Sequence, residues 1–124
     1  MKVRQPGLER KLRKWVRLLK LDGWNIKIRF KALKGSVAAQ VNHCSPVERS
    51  AIIDIAVDYS MREGYGISFN VDTLILHELI HVILWEKTEQ LPIKIGEHPK
   101  LEDLEEFVCY HFAKIIYDVN QRRL

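Results

Sequence analysis

Hydrophobic and polar positions follow two different periods along this chain, and each period predicts one kind of element. Residues 7–21 carry apolar side chains at helical spacing and predict an amphipathic helix. Residues 24–30 alternate strictly between apolar and polar side chains, which is typical of a half-buried strand. Residues 51–57 are β-branched and apolar on both faces, so they predict a more central strand. A further strand is predicted at residues 36–43.

The second half of the chain predicts two helices. Residues 71–88 are apolar on nearly every side, as expected for a buried helix, and Asn70 or Asp72 is the expected N-cap. Residues 100–119 form the last predicted helix. Residues 1–124 therefore predict a single domain of the α+β class. It has an N-terminal helix and a small, twisted, mostly antiparallel sheet of about three or four strands, with the buried helix and the C-terminal helix packed on the sheet.

The composition excludes several classes of protein. With 124 residues, 47% of them hydrophobic, the chain can bury one core but hardly two. Its uncharged apolar runs fall short of the roughly 18 residues that a membrane helix needs. No apolar stretch follows Met1, so no secretory signal is visible, and Cys44 and Cys109 are too few for a disulfide framework. We therefore expect a cytoplasmic protein.

The most specific feature is the pattern H-E-x-x-H, which this chain carries as His77-Glu78-Leu79-Ile80-His81. Two histidines four residues apart on a helix lie about one turn above each other on one face, so both imidazoles can reach one zinc ion. Glu78 is the expected general base, because a carboxylate beside the ion can take a proton from a water molecule held there. The apolar flanks favour this interpretation over two packing histidines, since buried polar groups need partners.

Zinc bound by two histidines needs a third protein ligand, which we expect on the last helix. Apolar residues recur there at helical spacing, and we expect this stripe to face the core. Glu105 falls inside the stripe and is the preferred ligand, because a buried carboxylate needs a cation. Glu106, at the edge of the stripe beside smaller residues, is the alternative, and Glu102 is a weaker third choice. The stripe comprises Leu101, Leu104, Val108, Phe112, Ile115 and Val119.

The sequence resembles the gluzincin metallopeptidases, specifically the minimal, single-domain kind called minigluzincins. The resemblance rests on residues 76–81, on the order of helix, strands, helix and helix, and on the downstream pair Glu105-Glu106. It implies that both histidines of the motif and a downstream glutamate bind catalytic zinc, that Glu78 is the general base, and that the substrate is a peptide or protein. It also implies that activity can be latent, with a terminal segment in the cleft, for which residues 118–124 are the candidate.

A peptide substrate would be held in an extended conformation, paired with a free sheet edge near the cleft. Residues 36–41 are the candidate edge, because the alanines within it let another backbone approach. The expected substrate-binding residues are Ala38, Ala39 and Gln40. Candidates for the group that stabilises the oxyanion are Tyr110, Tyr117 and His111.

The net charge of +4 is unevenly placed, with a cluster of lysines and arginines in the first twenty residues. These bases fall on the side of the first predicted helix opposite its apolar residues, which is typical of a solvated face, so nucleic-acid binding is not the favoured interpretation. The alternative to a peptidase is a non-catalytic, zinc-containing binding or regulatory protein that uses this basic helix on nucleic acid or on a protein partner.

Overall fold

A three-stranded sheet lies at the centre of the fold, and helices pack on one of its faces. The computed structural model describes residues 3–64, 67–68, 70–88 and 99–122. The helices are α1 (Gln5–Leu18), α2 (Val71–Thr88) and α3 (Pro99–Arg122). The strands are β1 (Asn25–Lys31), β2 (Ala39–Ser45), β3 (Ser50–Ala56), β4 (Glu63–Gly64) and β5 (Ile67–Ser68), and a short 3-10 helix covers Tyr59–Met61.

Strand β3 occupies the middle of the sheet, in the order β1-β3-β2. It pairs in parallel with β1, where Asn25 lies opposite Ser50, and antiparallel with β2, where Ala39 lies opposite Ile55. Strands β4 and β5 form a separate antiparallel pair. The predicted α+β class and the central position of β3 are confirmed. The main sheet is mixed, and two of the three pairings in the described ranges are antiparallel.

The core lies on the face of the sheet that carries Ile53 and Ile55, both fully buried. Helix α1 adds Leu8, Leu12 and Trp15 to this core and turns most of its basic side chains to solvent, as its amphipathic pattern predicts. It packs on α2 and β1, α2 packs on β2 and β3, and α3 packs along α2. Within the ranges given above, each helix is too short or too polar to cross a membrane.

Helix α2 begins where the sequence predicts because Asn70 caps it. Asn70 Oδ1 accepts hydrogen bonds from the backbone N–H of Thr73, at 2.8 Å, and from the Thr73 hydroxyl, at 3.1 Å. Asp72, the other candidate for the cap, accepts a hydrogen bond from Trp15 Nε1 at 2.8 Å and pairs with Lys11 at 2.9 Å. These contacts hold α1 against the first turn of α2 and so fix the start of the helix that carries both motif histidines.

The apolar stripe of α3 was predicted to face the core, but in the structure it faces solvent. Leu104 and Phe112, in the middle of the stripe, are 56% and 50% exposed. The face that packs on α2 carries the buried residues Glu105, Cys109 and Ala113 instead. The prediction is wrong because small side chains let α3 approach α2 closely and because the glutamates on this face meet histidine partners. Apolar periodicity records neither effect.

We predict that Asn70→Ala lowers the free energy of unfolding by about 1 kcal/mol, because the Thr73 N–H then loses its acceptor at the first turn of α2. Asn70→Asp, which keeps an oxygen at the cap, should cause a much smaller loss. Urea denaturation followed by circular dichroism measures both variants. Equal losses in the two would contradict a capping role for Asn70.

Candidate metal centre

His77 and His81 lie one turn apart on the same face of α2, as the spacing of the motif predicts. Their ring centroids are 4.9 Å apart and their Nε2 atoms are 3.2 Å apart. His81 is buried, and the side chain of His77 is 13% exposed. The two rings therefore present their Nε2 atoms to a common position beside α2.

Glu106 of α3 faces this position from the other helix. Its Oε1 lies 2.7 Å from His81 Nε2, and its Oε2 lies 3.2 Å from His77 Nε2. The side chain of Glu106 is partly exposed because it lies in a cleft that opens to solvent. A single carboxylate thus spans the Nε2 atoms of both imidazoles.

Glu105 contacts the opposite side of the His81 ring. Its carboxylate accepts a hydrogen bond from His81 Nδ1, and each of its oxygens lies 3.2 Å from Trp85 Nε1. The residue is buried, at 7% exposed. Glu105 is therefore in contact with the motif, as expected from the sequence, but it faces Nδ1 of one histidine rather than the position that the two Nε2 atoms share.

Glu78 lies beside the histidines with its side chain almost completely buried. Its Oε2 is 3.9 Å from His77 Nε2. Burial raises the pKa of Glu78 above the ordinary value of a glutamate; the two histidines oppose this shift, and the neighbouring carboxylates of α3 add to it. A carboxyl group with a raised pKa can accept and return a proton closer to neutral pH than an exposed one can.

The polar groups of this cluster are hydrogen-bond partners of one another, and these contacts shift the pKa values of some of them. Burial lowers the pKa of His81, but hydrogen bonds with Cys109 and the two glutamates outweigh burial and raise it to about 12. The pKa of Glu106 lies well below its ordinary range, mainly because of its hydrogen bonds with His77 and His81. Burial raises the pKa of the Cys109 thiol. Across the described ranges, no buried side-chain nitrogen or oxygen lacks a hydrogen-bond partner.

These donor atoms could hold a metal ion. They form two overlapping groups, one of His77, Glu78 and His81 and one of His81, Glu105 and Glu106. Zinc binds histidine nitrogen and carboxylate oxygen at about 2.0–2.2 Å, so two ligand atoms of a tetrahedral site lie about 3.3 Å apart. The 3.2 Å between the two Nε2 atoms is compatible with this spacing, as is the 3.2 Å between His77 Nε2 and Glu106 Oε2.

The cluster lies in a cleft of about 550 Å³ between β2, α2 and α3. One wall of the cleft consists of residues 36–41, which include all three predicted substrate-binding residues. Ala38 is buried and its carbonyl oxygen accepts a hydrogen bond from Ala56, whereas Ala39 is partly exposed. The amide of Gln40 turns towards Asp54, 3.4 Å away, so its side chain is directed away from the cleft. The structure therefore brings the predicted edge together with the cluster of histidines and glutamates.

The three candidates for oxyanion stabilisation lie at different positions on α3 relative to the cleft. Tyr110 lines the cleft, with its ring centroid 6.3 Å from that of His77. Tyr117 packs against Trp15, and His111 is exposed on another side of α3. Tyr110 is therefore the candidate that lies beside the cluster.

Helical spacing could have identified two further residues of the cluster. Trp85 follows His81 by four residues and contacts its ring, with the centroids 5.5 Å apart. Cys109 follows Glu105 by four residues and contacts His81. Glu102, the third candidate ligand, also lines the cleft but is exposed and belongs to neither donor group.

The predicted inhibitory segment, residues 118–124, begins as part of a helix. Helix α3 continues through Arg122, and the α3 residues that line the cleft lie between Glu102 and Tyr110. Residues 123 and 124 lie outside the described residues. The described part of this segment therefore does not occupy the cleft.

Comparisons of the chain with protein-family models, with curated proteins and with solved structures found no match. The resemblance to gluzincins therefore stays an expectation from the motif, the order of the elements and the pair Glu105-Glu106. The structure itself shows a cluster of two histidines and two carboxylates from a neighbouring helix, next to a buried third carboxylate and open to a cleft.

We predict that Glu105→Ala lowers the free energy of unfolding by about 3 kcal/mol, because the buried His81 Nδ1 and Trp85 Nε1 both lose their acceptor. The matched control is Glu102→Ala, an exposed position on the same helix, which should change it by no more than about 0.5 kcal/mol. Urea denaturation in the presence of a chelator measures both variants free of metal. Similar stabilities for the two would contradict the structural role of Glu105.

Proposed function

We propose that this protein is a zinc-dependent peptidase of the gluzincin type, with activity that can be latent. One observation carries the proposal. The Nε2 atoms of His77 and His81 and the carboxylate of Glu106 converge to separations of 2.7–3.2 Å, inside a cleft and beside the buried Glu78. Two histidines, a carboxylate and an adjacent general base are what hydrolysis at a zinc centre requires.

We assign the third ligand to Glu106 rather than to Glu105. Glu106 reaches the Nε2 atoms of both histidines, whereas Glu105 contacts Nδ1 of His81. A histidine that binds zinc through one ring nitrogen commonly donates its other N–H to a carboxylate, which fixes the tautomer and the orientation of the ring. Glu105 has that place in this cluster. The hydrogen bonds from Trp85 Nε1 hold the Glu105 carboxylate in turn.

The chemistry follows from the positions of the carboxylates. A bound zinc ion supplies a Lewis acid that makes water acidic near neutral pH and polarises the scissile carbonyl group. Glu78 accepts a proton from the attacking water and delivers it to the leaving amine, because its carboxylate is directed into the cleft beside His77 and its burial favours the protonated form. Tyr110 is our candidate for donating a hydrogen bond to the developing oxyanion, because it lines the cleft beside His77.

The peptide is bound in an extended conformation along β2. This strand is at the edge of the sheet, and in the described ranges β3 pairs with one side of it. A peptide that adds to a sheet as a strand gains affinity through main-chain hydrogen bonds. Small side chains on the edge strand favour this pairing because they let the peptide backbone come close. Ala39 and the main chain of Gln40 provide this edge beside the cluster, and the buried Ala38 precedes them in the wall of the cleft.

A non-catalytic role remains the second candidate because of one observation on α1. Its arginines at positions 10, 13 and 17 are exposed, together with Lys14. A row of exposed bases on one helix can attract nucleic acid or an acidic protein surface, with an affinity that falls as salt increases. In this alternative the zinc ion would only stabilise the fold, and Glu78 would have no catalytic role.

We also propose that the protein acts in the cytoplasm. Cys44 and Cys109 are both in the described part of the chain and are not joined by a disulfide. Reduced thiols are the usual state of cysteine in that compartment, where glutathione and thioredoxin oppose oxidation. The buried Cys109 also contacts His81, so a thiol at this position is part of the cluster.

We predict that Glu106→Ala reduces zinc affinity more than Glu105→Ala does. Loss of a direct ligand should leave little metal in the purified protein, whereas loss of a partner that orients His81 should reduce affinity by about 10–100-fold. Elemental analysis and competition with a chromophoric chelator measure both. Glu102→Ala, in the same cleft, is the control and should keep full zinc content. The reverse order of effects would move the third ligand to Glu105.

We predict that Glu78→Gln reduces kcat/KM for peptide cleavage by about 10²–10⁴-fold while zinc content is unchanged, because the amide cannot accept the proton. The assay follows a mixture of unstructured synthetic peptides by mass spectrometry after incubation with zinc-loaded protein. Glu9→Gln, an exposed position on α1, is the control and should leave the rate unchanged.

Either of two results would contradict the peptidase proposal. Cleavage at an equal rate by Glu78→Gln would remove the general base from the mechanism. Zinc-loaded wild-type protein that leaves every peptide intact, together with salt-dependent binding to nucleic acid that survives Glu78→Gln, would favour the non-catalytic role.

A further inference from the structure

Helix α3 leaves a long apolar surface uncovered, which we call the open face of α3. The side chains on it are between 38% and 59% exposed. Apart from the gap of five residues between Phe107 and Phe112, they recur every three or four residues, so they lie along one side of the helix. The open face comprises Leu101, Leu104, Phe107, Phe112, Ile115 and Val119.

The size of the open face matches an interface. Side chains of these types, exposed to these extents, present about 600 Å² of apolar surface together. Monomeric proteins seldom expose a continuous apolar patch larger than this, and a stable interface takes about 800 Å² from each partner. Polar residues at the rim of the stripe would supply most of the remainder.

The order of residues along the open face is nearly symmetric about its midpoint. A twofold axis near residue 110 places Leu101 opposite Val119 of a second copy and Leu104 opposite Ile115. The same axis places Val108, which is partly buried, opposite Phe112. Apart from Phe107, every side chain of the open face therefore meets an apolar partner when two copies of α3 run antiparallel. A surface that complements itself in this way is the requirement for a twofold dimer.

The charges beside the open face favour the same arrangement. Lys100 is exposed at the start of α3, and Asp118 lies on the same flank near its end. Antiparallel helices bring Lys100 of one copy near Asp118 of the other. Parallel helices would instead place both Lys100 side chains at one end of the pair and both Asp118 side chains at the other end. Opposite charges at the rim select orientation even where they add little affinity.

Aromatic side chains occupy the middle of the open face. The ring of His111 stacks on Phe107, with the centroids 6.0 Å apart and the planes at 5°, and meets Phe112 edge-on at 6.0 Å. Rigid aromatic groups near the centre of a patch are the usual anchors of protein interfaces. Because this surface lies on a different side of α3 from Glu105 and Glu106, pairing through it leaves the cleft open.

We propose that two copies of this chain form an antiparallel dimer through the open faces of their α3 helices. This inference is independent of any catalytic role. The test is sedimentation equilibrium of the full chain at micromolar concentrations, where we expect twice the chain mass of 14.6 kDa.

Leu104→Glu should weaken the dimer on the order of a hundredfold, since twofold symmetry buries two unpaired carboxylates in one interface. Met61→Glu is the matched control because Met61 is a still more exposed apolar residue, at 84%, outside α3, and it should leave the dimer intact. Circular dichroism establishes that both variants are folded. A wild-type protein of monomer mass at all concentrations overturns the proposal, and so does a dimer that survives Leu104→Glu.

Disulfide cross-linking tests the orientation. Chains with Leu101→Cys and chains with Val119→Cys should cross-link when they are mixed and oxidised, because the two positions face each other across the proposed interface. Neither variant alone should cross-link above the level of wild type, which accounts for the two native cysteines. Cross-linking of Val119→Cys with itself, without any cross-link between the two variants in the mixture, would overturn the antiparallel arrangement.

Discussion

Burial of ionisable groups between two helices is the constraint on which this structure depends. The packing of α3 on α2 takes His81, Glu78 and Glu105 out of water, which is expensive unless each group meets a partner. All of those partners are available in one register, because a shift of one residue rotates the side chains of α3 by about 100° and leaves at most one glutamate beside the imidazoles. Apolar burial makes the helices associate, and the polar cluster selects how they do so.

Most of the fold could be predicted because its elements have strong local signals. The motif helix was expected at residues 71–88 and is found at Val71–Thr88, since a cap at Asn70 and a mostly apolar run on both sides of the motif define it. The central strand differs from its predicted bounds by one residue at each end. The parallel pairing of β1 with β3 could not be predicted, because strand patterns record burial and contain no information on direction.

The orientation of α3 and the roles of its glutamates required the structure. Both sides of this helix carry apolar residues, so periodicity alone favours the larger ones as the core face, and these are the ones that lie exposed. Glu105 and Glu106 are adjacent, and a modest rotation of the helix decides which carboxylate meets Nε2 and which meets Nδ1. The histidines and Glu78 needed no such information because four-residue spacing on one helix fixes their relation.

An irregularity in β2 limits what the edge of this strand that faces away from β3 can accept. Val41 pairs with Ile53 and His43 pairs with Ile52, so Asn42 is an extra residue that bulges out of the ladder. A bulge twists an edge strand and interrupts the row of donors and acceptors that an incoming strand needs. The regular run ahead of it, beside the cleft, is only a few residues long. The bulge at this exposed asparagine therefore limits how many residues of another strand could pair with this edge, and so opposes growth of the sheet by edge-to-edge association.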